Sequence, residues 1–187
     1  MTTIVAVAGG KGGTGKTFIA TNIAYILSAK KAKTLLVDAD VDNPSIESVL
    51  QININRVVYA KKFKPVVNQG KCRGCGLCTE KCPHHALTLL PSKKLVFIET
   101  LCIGCSICRL VCPHNAISNG ESIEGLFKYG TTREGIDVII GELVPGNKRS
   151  IVVVTRLIEE HLEVFKKYDY VIIDSPPGIS SILYDGV

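Results

Sequence analysis

Residues 10–17 read Gly10-Lys11-Gly12-Gly13-Thr14-Gly15-Lys16-Thr17. The stretch matches the phosphate-loop pattern G-x-x-x-x-G-K-[ST] at every fixed position. A short apolar run at residues 4–8 precedes it, and apolar residues at helical spacing follow it over residues 18–27. Strand, loop and helix in this order allow backbone N–H groups and a helix N-terminus to face phosphates. The sequence therefore predicts a nucleotide site, because an incidental glycine-rich turn would lack this context.

The side chains that end the phosphate loop and two apolar runs predict the rest of this site. Lys16 is expected to reach the β- and γ-phosphates, and the Thr17 hydroxyl to bind Mg²⁺. Residues 34–37 and 170–173 read as parallel strands covered on both faces, and each run ends in an aspartate. Carboxylates at the carboxyl ends of such strands stand in the crevice where open α/β sheets bind ligands. The candidates are Asp38, Asp40, the nearby Asp42 and Asp174, for which strand-end capping is the alternative role.

Length, composition and charge set outer limits. A chain of 187 residues can form one ordinary core, or one core and a small insert. It has no run of eighteen apolar residues and no basic segment followed by an apolar one at its N-terminus. The sequence thus predicts neither a membrane span nor a signal peptide, and a cytoplasmic location is expected. The net charge of +5 is modest, and we expect neither a nucleic acid nor a membrane partner.

All eight cysteines fall in two identical runs of the form C-x₂-C-x₂-C-x₃-C-P. The second run begins 30 residues after the first, and the repeat extends to His84 with His114 and Ala86 with Ala116. This similarity indicates an internal duplication. The two runs are Cys72, Cys75, Cys78, Cys82 and Pro83, and Cys102, Cys105, Cys108, Cys112 and Pro113.

Other uses of these cysteines fit the spacing less well. Disulfides are not favoured in a chain without a sign of export. A zinc site takes four ligands, commonly from two C-x₂-C pairs, which three equally spaced cysteines followed by Cys-Pro do not match. The histidines His84, His85 and His114 could be ligands, but eight thiolates suffice and we interpret them as surface or packing residues.

The runs resemble those of bacterial two-cluster ferredoxins, in which the fourth cysteine of each run ligates the other cluster. This resemblance implies two [4Fe-4S] clusters and a crossed ligand set. Between Gly70 and Ile117, six lysines and arginines stand against two glutamates, and this excess would offset the negative charge of two clusters. One cluster is expected on Cys72, Cys75, Cys78 and Cys112, and the other on Cys102, Cys105, Cys108 and Cys82.

Residues 11–17 resemble the deviant phosphate loop of the MinD/ParA superfamily, which also includes the nitrogenase iron protein. The resemblance implies an ATP-dependent homodimer in which Lys11 reaches the partner's nucleotide, although a solvated loop lysine is the alternative. It also implies that Asp38 organises the magnesium shell and that Asp40 orients the attacking water. Asp174 would bind Mg²⁺ through water, and the backbone N–H near Gly178 would sense the γ-phosphate. ATP is favoured over GTP because Asn147-Lys148-Arg149-Ser150 lacks the carboxylate of an N-K-x-D motif.

These patterns together predict a parallel, doubly wound α/β phosphate-loop domain with an inserted small α+β ferredoxin domain. The expected boundaries are residues 1–65 and 119–187 for the first, which is expected to be incomplete at its C-terminus, and 66–118 for the insert. Beyond the strands named above, we expect a helix over residues 43–50, strands near 56–60 and over 135–143, and a helix within 148–167.

Three functions remain open at this point. The first is an ATPase that couples nucleotide state to electron transfer or iron-sulfur handling. The second is an iron-sulfur cluster assembly or carrier ATPase that serves client proteins. The third is a ParA-like or MinD-like spatial organiser with a structural ferredoxin insert, which would need a basic stripe or an amphipathic helix that the sequence does not display.

Overall fold

The computed structural model describes residues 1–146 and 150–177. The chain divides into two compact units. The first comprises Met1–Ala60 and the chain from Glu124 onward, and the second is Lys61–Ile123. The boundaries expected from the sequence, 66 and 118, lie five residues inside those of the second unit.

A six-stranded sheet in the order β1-β8-β2-β7-β6-β3 organises the first unit. Strand β1 pairs in parallel with β8, β8 with β2, and β2 with β7. The strands are β1 Thr3–Val7, β2 Thr34–Asp38, β3 Ile52–Val67, β6 Ile117–Thr132, β7 Asp137–Leu143 and β8 Tyr170–Asp174. The helices of this unit are α1 Lys16–Ala29, α2 Ile46–Val49, α5 Ser150–Glu159 and α6 Leu162–Phe165.

Both faces of the sheet are covered, because successive side chains of a strand point to opposite faces. Leu35 and Val37 of β2 belong to one buried cluster and Leu36 to another. Helix α5 contributes Val153, Val154, Leu157 and Ile158 to the first cluster, and α1 contributes Ala20 and Ala24 to the second. Every residue of β2 is buried, which explains its continuous apolar run.

The expectation of an all-parallel sheet is wrong at one edge. Strand β6 pairs antiparallel with β7, from Gly125 opposite Leu143 to Thr131 opposite Asp137. Four residues join the two strands, and Gly135 takes a φ of 80° among them. Such a connection is long enough for a hairpin but too short for the crossover that a parallel pair requires.

Three element boundaries also differ from expectation. The strand expected at 56–60 runs from Ile52 to Val67 and passes through Pro65. Strand β6 was not expected, because Ser118-Asn119-Gly120 reads as a turn. The helix expected within 148–167 is two helices, α5 and α6, with His161 at the N-cap position of the second. Residues 147–149 lie outside the described part.

The second unit carries the two cysteine runs. Its elements are α3 Leu77–Glu80, β4 Leu87–Leu89, β5 Leu95–Phe97, a 3₁₀ turn Glu99–Leu101 and α4 Ile107–Leu110. Strands β4 and β5 pair antiparallel. The duplication is visible in the backbone, because left-handed conformations recur 30 residues apart at Gly74 and Gly104, Gly76 and Ser106, and His85 and Asn115.

Within residues 1–146 and 150–177, the helices all fall short of the length and apolar content that crossing a bilayer requires.

Shortening a side chain of the central strand should destabilise the fold. Leu36 is fully buried, so Leu36→Ala is expected to lower the free energy of unfolding by about 2–5 kcal/mol. Ile26 on α1 is 53% exposed, and Ile26→Ala is expected to cost below about 1 kcal/mol. Chemical denaturation followed by circular dichroism measures both. Equal losses for the two variants would contradict the assigned core.

Candidate functional site

The register of the sheet places the carboxyl ends of three strands side by side. Val7, the last residue of β1, lies opposite Asp174, the last residue of β8. On the other side of β8, Asp38 of β2 also lies opposite Asp174. The phosphate loop leaves β1 at this edge, so the loop and the two strand-end aspartates that the sequence singled out come together in one crevice.

The phosphate loop has the backbone that its glycines allow. Gly13 and Gly15 have φ values of 74° and 83°, in the left-handed region that glycine adopts without strain. Gly15 caps helix α1, whose first N–H groups have no partner within the helix and face the loop. An anion held there meets these N–H groups and the positive end of the helix dipole.

Lys16 and Lys11 play different parts in the loop. The Lys16 side chain is buried, and its Nζ donates to the Lys11 carbonyl oxygen over 3.4 Å. The Thr14 hydroxyl donates to the same carbonyl over 3.2 Å. The Lys16 side chain therefore folds back over the loop, where its ammonium group could contact phosphate oxygens. Lys11 is exposed, so its own ammonium group is free to meet another molecule.

Thr17 joins the loop to the end of β8. Its hydroxyl donates to Asp174 Oδ2 over 2.5 Å and lies 2.9 Å from the Ser45 hydroxyl. Two hydroxyls and a carboxylate thus share one small volume at the start of α1. These oxygen atoms are the ligand type that Mg²⁺ prefers.

Asp38 is held by the backbone that follows it. Its Oδ1 accepts from Asp40 N–H over 3.1 Å, and its Oδ2 accepts from Ser45 N–H and Ile46 N–H over 2.9 and 3.0 Å. Burial nevertheless raises the pKa of Asp38 to about 7, and the nearby charge of Asp174 adds to this rise. The carboxyl group is therefore fixed in place but is poorly compensated in its charged form.

Asp174 is also incompletely compensated. Burial raises its pKa, although the Thr17 hydroxyl and the positive charge of Lys16 act in the opposite direction. Among the described residues, its Oδ1 and the Ser175 hydroxyl are buried without a hydrogen-bond partner. Two buried carboxylates and an unpaired oxygen fit a divalent cation, which would supply the missing positive charge.

The remaining predicted residues fall at the rim of the crevice or beyond the described part. Asp40 is half-buried, and burial raises its pKa while the charge of Lys16 lowers it. Asp42 is exposed, so it takes no part in the buried network. Gly178 lies outside the described residues.

Sequence reasoning missed three residues of this crevice. A Cβ on Gly9 would lie 2.7 Å from the Thr14 hydroxyl oxygen and 3.2 Å from Lys16 Cδ, so glycine is needed one residue before the pattern begins. Ser45 contacts Thr17 from 28 positions away, a relation that no local motif reveals. Ser175 follows Asp174 directly, and only its burial marks it.

The cysteines of the second unit line two separate cavities. The empty space at the first cavity is about 360 Å³ and at the second about 330 Å³, including space open to solvent. Each takes three cysteines from one run and the fourth from the other run. The first cavity is lined by Cys72, Cys75, Cys78 and Cys112, and the second by Cys82, Cys102, Cys105 and Cys108. The structure thus groups the cysteines as the crossed arrangement groups them, and ligation of a cluster by each group stays a prediction.

The thiol groups share an electrostatic environment within each cavity. Burial raises the pKa of Cys78, and negative charge on Cys112, Cys72 and Cys75 would raise it further. Burial likewise raises the pKa of Cys108 to about 11. The fourth cysteine of each run also accepts a backbone N–H, from Ala86 to Cys82 Sγ over 3.3 Å and from Ala116 to Cys112 Sγ over 3.4 Å. Thiols whose pKa is raised by burial need added positive charge to become thiolates.

In the two described segments, no three histidine, cysteine, aspartate or glutamate side chains converge closely enough to hold one metal ion.

A phosphate loop between a parallel strand and a helix, with carboxylates at the ends of the neighbouring strands, defines a phosphate-loop nucleotide-binding domain. The family model described as the CobQ/CobB/MinD/ParA nucleotide binding domain matches residues 5–180. The chain belongs to this family.

Several curated proteins are similar to parts of the chain. An uncharacterized protein of Methanocaldococcus jannaschii is 31% identical over 186 residues, which are 98% of this chain and 63% of that protein. The iron-sulfur protein required for NADH dehydrogenase of Arabidopsis thaliana is 46% identical over 81 residues, 42% of this chain and 26% of that protein. The iron-sulfur cluster carrier protein of Escherichia coli is 49% identical over 47 residues, 25% of this chain and 13% of that protein. The chain thus spans less than two thirds of each relative.

Among solved structures, the septum site-determining protein MinD complexed with Mg-ADP from Pyrococcus horikoshii is similar with a TM-score of 0.48 and 20% identity. The similarity covers 100% of this chain and 54% of that chain.

The buried carboxyl groups should make stability depend on pH. Because the pKa of Asp38 is raised to about 7, the folded protein keeps a proton that the unfolded chain releases near pH 4. Without nucleotide and magnesium, stability should therefore fall as pH rises from about 4 to about 7. Asp38→Asn should flatten this slope, whereas Asp42→Asn should preserve it because Asp42 is exposed. Thermal unfolding at a series of pH values measures the slope, and parallel curves for Asp38→Asn and the parent protein would refute the assignment.

Proposed function

We propose that this chain is an ATPase that holds two [4Fe-4S] clusters and couples its nucleotide state to electron transfer. The observation that carries the proposal is the crossed lining of the two cavities, in which four thiols drawn from both runs surround each space. A nucleotide site and two such cavities in one chain are the combination that this function requires.

The donor set fits a four-iron cluster better than a zinc ion. Zinc draws four thiolates to about 2.3 Å from one point, so their sulfur atoms must converge. A cubane places each thiolate on a different iron, so the sulfur atoms surround a volume. Four described cysteines line each cavity, which supports the cluster because a cubane takes one thiolate on each of its four irons. The N–H bonds to Cys82 and Cys112 would help to tune its potential.

When bound, the clusters supply one-electron chemistry.

The nucleotide site would supply the nucleotide-dependent change of state. Lys16 and the loop N–H groups would bind the phosphates of ATP, and Thr17 would bind Mg²⁺. Asp38 and Asp174 would hold the magnesium shell from the strand ends, and Asp40 would orient the attacking water. Lys11 would cross to the nucleotide of a second copy, so we propose an ATP-dependent homodimer.

Chain connectivity offers a route for coupling. Strand β3 begins six residues after Ile46, the last residue that donates a hydrogen bond to Asp38. It continues into the second unit, and β6 returns from that unit to the first. If ATP hydrolysis changes the conformation of the residues that follow Asp38, β3 would transmit that change to the cysteine runs.

A second function, that of an iron-sulfur cluster carrier, is favoured by the similarity to proteins of that name. The two functions differ in how firmly the clusters are held. A carrier gives up iron and sulfide to an apo-protein acceptor when nucleotide is added, whereas an electron-transfer protein keeps its iron through repeated reduction and oxidation. Iron content measured after incubation with an apo-ferredoxin, with and without MgATP, separates them.

Cluster content tests the crossed ligand sets. Anaerobically reconstituted protein should contain about eight irons per chain, because each Cys₄ set holds four. The double variant Cys82→Ser/Cys105→Ser should retain about four irons, since both residues line the second cavity. The matched double variant Cys82→Ser/Cys75→Ser should retain almost none, because it damages both cavities.

Iron and sulfide analysis and the electron paramagnetic resonance of the reduced proteins provide the measurement. The opposite order of the two double variants would show that each run holds its own cluster. A parent protein with about four irons or fewer would remove the two-cluster proposal.

The two loop lysines should be separable by mutation. Lys16→Ala should abolish MgATP binding and lower hydrolysis by about 10²-fold or more, because Lys16 neutralises phosphate charge. Lys11→Ala should leave MgADP binding to the single chain nearly unchanged but abolish ATP-dependent dimerisation. Calorimetry and light scattering after gel filtration measure these properties. Unchanged ATP affinity in Lys16→Ala would exclude the site, and an ATP-dependent dimer in Lys11→Ala would exclude a role across the interface.

A further inference from the structure

The duplication allows the surroundings of the two cavities to be compared position by position. Arg73 lines the first cavity, and its counterpart 30 residues later, Ile103, lines the second. The residue before each run differs in the same way, with Lys71 before the first and Leu101 before the second. The backbones match, since Gly74 and Gly104 both take left-handed conformations. The backbone therefore matches at the start of the two runs, but the side chains there are charged in the first run and apolar in the second.

A third cation lies against the first run. A Cβ on Gly74 would lie 2.8 Å from Lys93 Cβ and 3.3 Å from the Lys93 carbonyl oxygen, so the β4–β5 turn packs against this loop. Lys71, Arg73 and Lys93 are exposed, as is Cys75, which follows Gly74 directly. We name these three cations the cationic rim.

The rim cations are not neutralised by carboxylates. In the described part of the chain, none of the three forms an ion pair within 4.0 Å, and the nearby Glu80 pairs with Lys81. Next to the second run, the counterparts of Lys71 and Arg73 are apolar, and Leu101 and Ile103 are 43% and 46% exposed. Two cations nearby have partners, because Lys64 pairs with Glu99 and Lys62 Nζ donates to the Cys102 carbonyl oxygen over 3.0 Å. Arg109 on α4 is the exposed cation of that run.

We propose that the cationic rim is the docking surface for an acidic one-electron carrier protein, and that electrons leave or enter this chain beside Cys75. The proposal rests on the proposed function and adds the partner and the place of exchange. A cluster held by the cysteines of the first cavity would exchange a single electron with the partner's acceptor. One would be oxidised as the other is reduced, and no bond would be made or broken. Charge complementarity favours this edge, because unpaired exposed cations attract an acidic surface from beyond contact distance.

The size of the rim argues for a protein and against a nucleic acid. Affinity for nucleic acid grows with the number of phosphates neutralised, and proteins that bind it tightly make about 6–10 such contacts. The three cations of the rim are too few for that, but they suffice to orient a small acidic protein.

Variants that exchange the charged and apolar residues at the start of the two cysteine runs provide the test. Lys71→Leu/Arg73→Ile gives the first run the residues of the second, and Leu101→Lys/Ile103→Arg makes the reverse change. The iron content of each variant is measured first. The dithionite-reduced holoprotein is then mixed with ferricyanide, an anion, or with hexaammineruthenium(III), a cation, at ionic strengths of about 0.01 M and about 0.15 M.

At low ionic strength, Lys71→Leu/Arg73→Ile should slow oxidation by ferricyanide about tenfold or more, while oxidation by the ruthenium complex is unchanged or faster. Adding Leu101→Lys/Ile103→Arg to that variant should restore the ferricyanide rate. The differences should shrink at the higher ionic strength because salt screens the rim. Equal slowing with both oxidants would point to an altered potential and would overturn the proposal, as would an unchanged ferricyanide rate.

Binding gives a readout that does not depend on electron transfer. Flavodoxin, used as an acidic carrier protein, should bind the parent protein at low ionic strength and about tenfold more weakly after Lys71→Leu/Arg73→Ile. Single-stranded DNA should compete poorly. Tighter, rim-dependent binding of DNA than of flavodoxin would overturn the proposal in favour of a nucleic acid. A low iron content in the parent protein would contradict the proposed function, while flavodoxin binding would still decide the role of the rim.

Discussion

The position of β8 between β1 and β2 is the constraint on which the nucleotide site depends. Asp174, at the end of β8, lies opposite both Val7 and Asp38. The end of β8 therefore fixes the positions of two groups, the start of the phosphate loop after Val7 and the carboxyl group of Asp38. The Thr17 hydroxyl then ties helix α1 to the same carboxylate. The ends of β1 and β2 and the start of α1, which are remote from β8 in the sequence, thus meet at Asp174. The burial that the flanking apolar layers impose is also what leaves these carboxyl groups short of positive charge.

Much of this site could be predicted from the sequence because its parts are local. The phosphate loop is a contiguous pattern, and Asp38 and Asp174 each end a continuous apolar run, so both strands were expected where they lie. Ser45 could not be found in this way, since its contact with Thr17 depends on how the chain returns after β2. Strand β6 was missed for a related reason. Its turn-like Ser118-Asn119-Gly120 is held extended by its neighbours in the fold, which override local preference.

The second unit was predictable to a different degree. Counting cysteines gave the repeat, and the resemblance to ferredoxins gave the crossed sets that line the two cavities. The cysteine spacing could not show that the backbone conformation also repeats at positions without glycine. Ser106, His85 and Asn115 adopt left-handed conformations there. Nor could the spacing show that the cations of this unit are unevenly distributed, since the spatial relation of Lys93 to Gly74 arises from the β4–β5 turn.

The crossed lining also bears on the order in which the chain can be assembled during synthesis. When a nascent chain has emerged as far as Lys94, it presents three of the four thiols of one cavity and a single thiol of the other. Neither cavity is complete until Cys112 and Cys108 have followed. Each half of the duplication is therefore unable to finish a site by itself, so the two halves form one cooperative folding unit. Loss of either half would leave both cavities without part of their cysteine lining.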